Sequence, residues 1–194
     1  MKNDSVKKIT GVAVLIAIEV VLQVIGNYIA IGPISINLAL IPIALCAIMY
    51  GPLAGALIGF MNGLVVLFSP STQALFFVYA PFATVVVCLL KCSLAGLVSG
   101  LVFKLIKNKN DLVAVIVASL LVPVINTGLF TLGAITILSN AVEIAQATFK
   151  YSDMNFYGFL FVIFIGWNFI FEFGITALLS PTIYKVINII KKEE

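Results

Sequence analysis

The chain contains no histidine and no arginine in its 194 residues, so its positive side chains are eleven lysines. The lack of histidine excludes most zinc chemistry and histidine-based acid–base catalysis. The sequence also lacks the G-x-x-x-x-G-K-[ST] pattern of a phosphate-binding loop and the G-x-S-x-G pattern of a serine nucleophile. We therefore expect this chain neither to hydrolyse ATP nor to act as an enzyme, and we expect no cofactor.

Charged residues are also scarce, at 10%, whereas hydrophobic residues make up 62% of the chain. A soluble domain is nearer one-half apolar and one-quarter charged, so this composition indicates an integral membrane protein surrounded by lipid. The three cysteines lie in apolar runs without the paired spacing of metal ligands. We interpret them as packing residues and expect no metal site. The net charge of +3 does not indicate nucleic-acid binding, because the lysines have another explanation.

Six apolar segments run through the chain, and we expect each to form a helix that crosses the membrane. They cover roughly residues 9–29, 37–50, 52–68, 76–106, 112–138 and 157–187. Only a Gly-Pro turn separates the short second and third segments. We interpret them as a tight hairpin of two helices, and the alternative is one re-entrant excursion. The longest polar connection, 139–156, has the length of a lid or binding loop.

Nine lysines flank these segments where only one side of the membrane would contain them. They are Lys2, Lys7, Lys8, Lys104, Lys107, Lys109, Lys185, Lys191 and Lys192. The positive-inside rule places that side in the cytoplasm. The sequence therefore predicts an all-α protein of the cell membrane, a single domain over 1–194 with six transmembrane helices and both termini cytoplasmic. A re-entrant second segment would instead place residues 104–109 outside.

Polar residues recur on one face of several apolar segments, where they are costly unless they have a function. Glu19, Gln23 and Asn27 follow one another at four-residue spacing, so they share a face of the first helix. Such stripes predict a cavity for a small polar ligand. The alternative is that they pair with one another between helices and leave no cavity. The candidate ligand-binding residues are Asn62, Lys91, Asn126, Thr127, Trp167 and Asn168.

Lys91 is the most informative single residue, because an ammonium group at the centre of a bilayer needs a partner. One possibility is a structural ion pair with Glu19 or with Glu172, which follows Asn168 by one helical turn. The other is an anionic ligand. Glu172 falls toward the cytoplasmic half of its segment, which favours a structural or partner-facing role for it. The residues alone leave the two possibilities open.

Small residues at four-residue spacing let the backbones of two helices approach closely. Gly51, Gly55 and Gly59 follow this pattern in the third segment. Ala13 and Ala17 follow it in the first, about 100° around the helix from the Glu19 stripe. The two alanines are therefore candidates for a helix-docking surface.

Four stretches of the chain resemble the substrate-binding S-components of energy-coupling factor (ECF) vitamin transporters. The second and third spans of that family are similar to residues 36–42 (INLALIP) and 50–56 (YGPLAGA). Its fourth span is similar to residues 91–100 (KCSLAGLVSG), and one branch has a fifth-span pattern similar to residues 122–130 (VPVINTGLF). Ala13 and Ala17 match the first-span motif of the family. The resemblance extends over nearly the whole chain.

The resemblance implies a transport subunit with no catalytic activity of its own. Such a subunit binds a vitamin from outside and then associates with a transmembrane T-component and two ATPase subunits, docking through the motif that Ala13 and Ala17 match. The pantothenate branch is the most similar, with Lys91 suited to the carboxylate of that vitamin and Asn62, Asn126 and Asn168 to its polar middle. Riboflavin is the alternative vitamin, and a ligand-free membrane scaffold is the alternative class of protein.

Overall fold

The computed structural model describes residues 2–31 and 34–193, and it is almost entirely helical. The helices are α1 (Lys2–Asn27), α2 (Leu40–Tyr50), α3 (Pro52–Leu67), α4 (Pro70–Thr72), α5 (Pro81–Ile106), α6 (Asp111–Thr136), α7 (Ser139–Thr148), α8 (Phe156–Gly158) and α9 (Trp167–Glu193). Two π-helical segments accompany them: π1 (Gln73–Phe77) follows α4, and π2 (Phe159–Gly166) joins α8 to α9. Two-residue strands, β1 (Ala30–Ile31) and β2 (Ile34–Ser35), pair antiparallel between α1 and α2.

Four helices in the described part of the chain are long and apolar enough to cross a membrane. They are Ser5–Asn27, Pro81–Ile106, Asp111–Thr136 and Phe156–Ile189. A fifth candidate consists of α3 together with Pro70–Phe77, and the chain bends by 62° between these two helices. The predicted second crossing is the exception, because α2 has 11 residues and a crossing helix needs about 20.

The turn between α2 and α3 depends on a glycine that the sequence identifies. Gly51 has a φ of 95°, a backbone conformation that side chains with a Cβ disfavour, and Pro52 begins α3 with a φ already suited to a helix. The Lys104 side chain lies beside Gly51, so the turn is at the same end of the molecule as the end of α5. This is the tight helical hairpin that the Gly-Pro signal predicts.

Two apolar clusters occupy opposite ends of the molecule. The first joins Val12 of α1, Phe103 of α5 and Ile183 of α9, and it surrounds α2. The neighbouring chain carries most of the lysines, so we call this the lysine-rich end. The second cluster joins Phe76, Leu138, Phe159 and other residues of π1, α7 and π2. We call this the cavity end, for the cavity described below.

The connection predicted to be a polar lid or binding loop, 139–156, is partly helical, which corrects the sequence-based interpretation. Most of its residues form α7. The reason is visible in α7, where Ala141, Val142 and Ala145 lie on one buried face against the cavity-end cluster. An amphipathic helix of this kind packs against the bundle through its apolar face.

Candidate functional site

A cavity lies beside the second cluster, at the end of the molecule opposite the lysine-rich end. The space between its walls is about 750 Å³ when the open solvent at its mouth is counted. The end of α1, the β-hairpin, the α3–α4 connection, α5, α6 and α9 all contribute to its wall. Its polar lining residues are Gln23, Asn27, Ser35, Asn37, Ser69, Ser71, Thr72, Thr84, Lys91, Asn126, Thr127, Asn168 and Glu172. Small-molecule sites typically combine apolar walls with polar groups that converge on the ligand.

Lys91 is the cationic group of the cavity wall. Its Nζ lies 4.9 Å from the centroid of the Phe130 ring, which is a cation–π contact. Neither Glu19 nor Glu172, nor any other described carboxylate, forms an ion pair with it. An aromatic face only partly replaces the hydration of an ammonium group, and the three N–H donors of that group remain available. The Lys91 ammonium can therefore be reached from inside the cavity.

Glu172 provides the carboxylate of the wall. Its Oε1 accepts a hydrogen bond from the backbone N–H of Asn37 at 2.9 Å and a longer one from Nδ2 of Asn168 at 3.4 Å. The side chain is 4% exposed, so these bonds compensate for part of its lost hydration. They also join α9 to the segment that precedes α2.

The β-hairpin is held across the cavity wall by further polar contacts. Ser35 Oγ and Ser71 Oγ are 3.0 Å apart, which joins the hairpin to α4. Asn168 Nδ2 donates to the Ser35 carbonyl at 3.3 Å, which joins it to α9. Ser71 and Asn168, which hold the hairpin in place, also line the cavity. A ligand that displaced either contact would therefore change how the hairpin is held.

A buried hydrogen-bonded chain lies deeper than the cavity wall. Asn62 Nδ2 donates to Cys92 Sγ at 3.5 Å, and the Cys92 thiol donates to Asn126 Oδ1, also at 3.5 Å. Asn126 reaches the cavity, whereas Asn62 is fully buried behind it. Cys92 is thus part of a polar connection and not simply an apolar packing residue.

Aromatic rings form the apolar part of the wall. Phe76, Phe130 and Phe169 all line the cavity. The Phe76 ring meets the Phe130 ring edge-on, with centroids 5.6 Å apart. Both π-helical segments lie next to this wall, and π-helical turns inside α-helices are often found at functional sites.

The predicted site residues divide into two groups. Lys91, Asn126, Thr127 and Asn168 lie on the cavity wall. Asn62 and Trp167 are not among the described residues that line it: Asn62 is completely buried, and Trp167 is 55% exposed on the outer surface of α9. Trp167 precedes Asn168 on the helix, so the rotation of about 100° between neighbouring residues turns its side chain away.

Sequence reasoning missed Glu172 and the hairpin as parts of the cavity wall. Glu172 follows Asn168 by four residues, and this spacing places both side chains on the same face. That signal was present, but the position of Glu172 toward the cytoplasmic half favoured a structural role. Ser35 of the hairpin and Asn37 just after it offer no comparable signal, because only tertiary packing brings their short segment over the cavity. Residues 139–156, predicted as a lid, do not line the cavity in the described chain.

The predicted docking alanines lie outside the cavity. Ala13 and Ala17 are both exposed on α1, on the surface of the molecule. The polar stripe of the same helix faces inward, with Glu19 at 0% exposure and Gln23 at 3%. Helix α1 thus presents its small residues outward and its polar residues toward the bundle.

Comparison with known protein families gives a match over most of the chain. The model of the family described as ECF transporter, substrate-specific component, matches residues 7–185. No curated protein and no solved structure matches the chain. The family match contains most of each of the four candidate membrane spans and all of the residues that line the cavity. The chain therefore belongs to the family of substrate-specific components of ECF transporters.

Proposed function

We propose that this chain binds pantothenate in the cavity, as the vitamin-specific subunit of an ECF importer. The single observation that carries the proposal is the Lys91 ammonium, which lines the cavity without an ion-pair partner among the described residues. Pantothenate offers one carboxylate for this lysine, together with hydroxyl and amide groups. Asn126, Thr127 and Asn168 supply complementary polar groups, and Glu172 accepts a hydrogen bond from a hydroxyl or amide donor.

The family implies interaction with a T-component and with ATPases, which supply the ATP hydrolysis that this chain lacks the motif to perform. We place the T-component against the exposed Ala13 and Ala17 of α1. Small residues there let a partner helix approach closely. The remaining exposed apolar surface, such as Leu53 and Leu178, contacts lipid.

We further propose six crossings with both termini in the cytoplasm. The lysine map supports this topology, and α2 and α3 then form the second and third crossings despite the shortness of α2. The cavity then faces outward. Single cysteines that replace Lys2 and Lys192 should resist an impermeant thiol reagent in intact cells, whereas cysteines at Ser71 and Ser152 should react. Labelling at position 192 would contradict the topology.

Riboflavin is the second candidate, and the aromatic wall favours it. Phe76, Phe130 and Phe169 offer ring faces and edges to a flat ring system. Riboflavin has no carboxylate, so it would leave Lys91 with only its contact to Phe130. For this reason pantothenate remains the preferred ligand.

The direct test is to purify the protein in detergent, denature it and identify any released small molecule by mass spectrometry. Titration of ligand-free protein with pantothenate and with riboflavin, followed by calorimetry, should give saturable binding for pantothenate alone. Binding of riboflavin alone would make riboflavin, and not pantothenate, the preferred ligand. Binding of neither, with no released molecule, would favour a scaffold without a ligand.

A further inference from the structure

Three charged residues lie in the interior of the membrane-spanning helices: Glu19, Lys91 and Glu172. Two of them have partners. Lys91 contacts the Phe130 ring, and Glu172 accepts hydrogen bonds from Asn37 and Asn168. Glu19 differs, because it is 0% exposed and neither of its carboxylate oxygens has a hydrogen-bond partner. A buried carboxyl group of this kind has to be neutralised, either by a bound cation or by a proton.

The surroundings of Glu19 contain further oxygens without donors. Gln23, one turn along the same face of α1, is 3% exposed and its Oε1 has no partner. Asn62 is 0% exposed on α3, which packs against α1, and its Oδ1 also has no partner. The amide nitrogens of both residues are already used, by Asn27 Oδ1 and by Cys92 Sγ respectively. The oxygens of these two amides therefore remain available to bind another group.

Glu19 and Asn62 lie on neighbouring helices. Asn62 donates directly to the Cys92 thiol, and the helix that carries Asn62 packs against α1, where the Glu19 side chain is fully buried. Lys91, which lies far from the ends of its span, does not form an ion pair with Glu19 in the described chain. The region therefore combines one negative charge with four unpartnered oxygen atoms, from Glu19, Gln23 and Asn62.

We propose that Glu19, Gln23 and Asn62 bind a monovalent inorganic cation, an alkali metal ion, between α1 and α3. Carboxylate and amide oxygens are the ligands that hard cations prefer. One positive charge neutralises one carboxylate, whereas a divalent ion would leave an excess charge buried in the membrane. A proton on Glu19 would supply only one donor to this group of oxygens. The cation occupies a position beneath the cavity, since Gln23 also lines the cavity wall.

The site gives a reason for coupling between the cation and an anionic ligand. With a carboxylate ligand bound, the interior would contain three negative groups, Glu19, Glu172 and the ligand, but only one lysine. The bound cation reduces this excess of negative charge. This coupling rests on the proposed function. The cation site itself does not, because it is built from residues of the chain alone.

The experiment uses the full chain purified in detergent, with no vitamin added. Thermal unfolding is followed in sodium, potassium and lithium chloride and in N-methyl-D-glucamine chloride at equal ionic strength. One alkali metal ion should raise Tm saturably, by about 5–10 °C at a hundred times its Kd. Glu19→Gln should abolish this rise, and Asn62→Ala should increase the half-saturating concentration at least about tenfold. Glu143→Gln, which changes an exposed glutamate of α7, should retain the wild-type response.

Binding of radioactive sodium or potassium to the wild-type protein provides a second measurement that does not depend on the variants folding. Saturable binding of one ion per chain supports the site. Equal Tm in all four salts together with no bound ion would overturn it. A stability that depends on pH but not on the alkali metal would also overturn it, because it would assign a proton to Glu19. Since no vitamin is present, these outcomes are independent of whether pantothenate is the ligand.

Discussion

The lysine-rich end and the cavity end of the molecule are packed in different ways. At the lysine-rich end, α3 and α5 are in backbone contact: a Cβ added to Gly55 would lie 2.6 Å from the Gly96 carbonyl oxygen, and one added to Gly100 would lie 2.7 Å from Cα of Pro52. At the cavity end, phenylalanine rings, π-helical segments and a short hairpin enclose open space. The contrast assigns mechanical rigidity to one end and ligand recognition to the other.

The largest expected effect distinguishes the outer surface of the lysine-rich end, which we expect to bind a partner, from its interior, which stabilises the fold. Replacing both Ala13 and Ala17 with tryptophan should leave the isolated protein folded and able to bind ligand, because both alanines are exposed. The same change should abolish assembly with the T-component and uptake into cells, since the bulk holds the partner helix away. Pull-down and ligand binding are measured on one preparation.

Leu178→Trp is the matched control, because Leu178 is 80% exposed on α9 and faces lipid in the proposed topology. It should assemble normally. Intact pull-down by the double alanine variant would remove this surface as the docking site. Loss of both folding and assembly would show that the alanines pack within the chain.

The next effect concerns the rigidity of the lysine-rich end. Gly96→Ala should lower the free energy of unfolding by about 3 kcal/mol, because the new Cβ would meet the backbone of Gly55 and backbone cannot move aside cheaply. Thermal unfolding in detergent measures the change. Gly128→Ala, where no atom lies within 4 Å of the new Cβ, should have little effect or stabilise slightly. Equal effects of the two changes would contradict the proposed contrast.

A change at the cavity end should affect binding more than stability. Lys91→Met should weaken pantothenate binding by about 1.5–3 kcal/mol, the value of a charge-assisted hydrogen bond. Calorimetry measures the affinity, and Lys104→Met, near the turn at the other end, should bind normally. If Lys91→Met binds normally while Glu19→Gln unfolds the protein, the lysine has a structural role and the argument for an anionic ligand is lost.

The smallest effect tests how the hairpin is held. A double-mutant cycle of Ser35→Ala and Ser71→Ala should give a coupling energy of about 0.5–1.5 kcal/mol, the net value of an ordinary hydrogen bond. Ligand affinity and thermal stability are measured for the four proteins of the cycle. A coupling energy near zero would show that water or ligand replaces the contact without cost.

Much of this architecture could be predicted from local patterns. Each of the six predicted apolar segments contains a helix, and the Gly51–Pro52 turn lies where the sequence indicates. Glycine spacing predicted the close approach of helices, and Gly55 and Gly96 meet in the structure. These features depend on residues a few positions apart, so a single sequence contains them. It also indicated the inward direction of the Glu19 stripe, because four-residue spacing fixes a helix face.

The cavity could be predicted only in part. Lys91, Asn126 and Asn168 were identified because polar residues stand out in apolar helices. The contacts of Ser35 with Ser71 and of Asn37 with Glu172 could not be, since they join positions far apart in the chain through a short irregular segment. Asn62 was assigned to the ligand, but it bonds to Cys92 behind the wall, a difference that depends on the rotation and depth of α3.

The shortness of α2 has a consequence for how the protein enters the membrane during synthesis. Its 11 residues include none that is exposed, so in the finished bundle the helix needs no lipid contact. While the chain is still emerging, however, α2 alone is too short to hold a stable transmembrane position. We therefore expect it to insert together with α3 as a pair joined at Gly51, and lengthening that turn with a flexible linker should reduce the yield of correctly inserted protein in a cell-free translation assay with membranes.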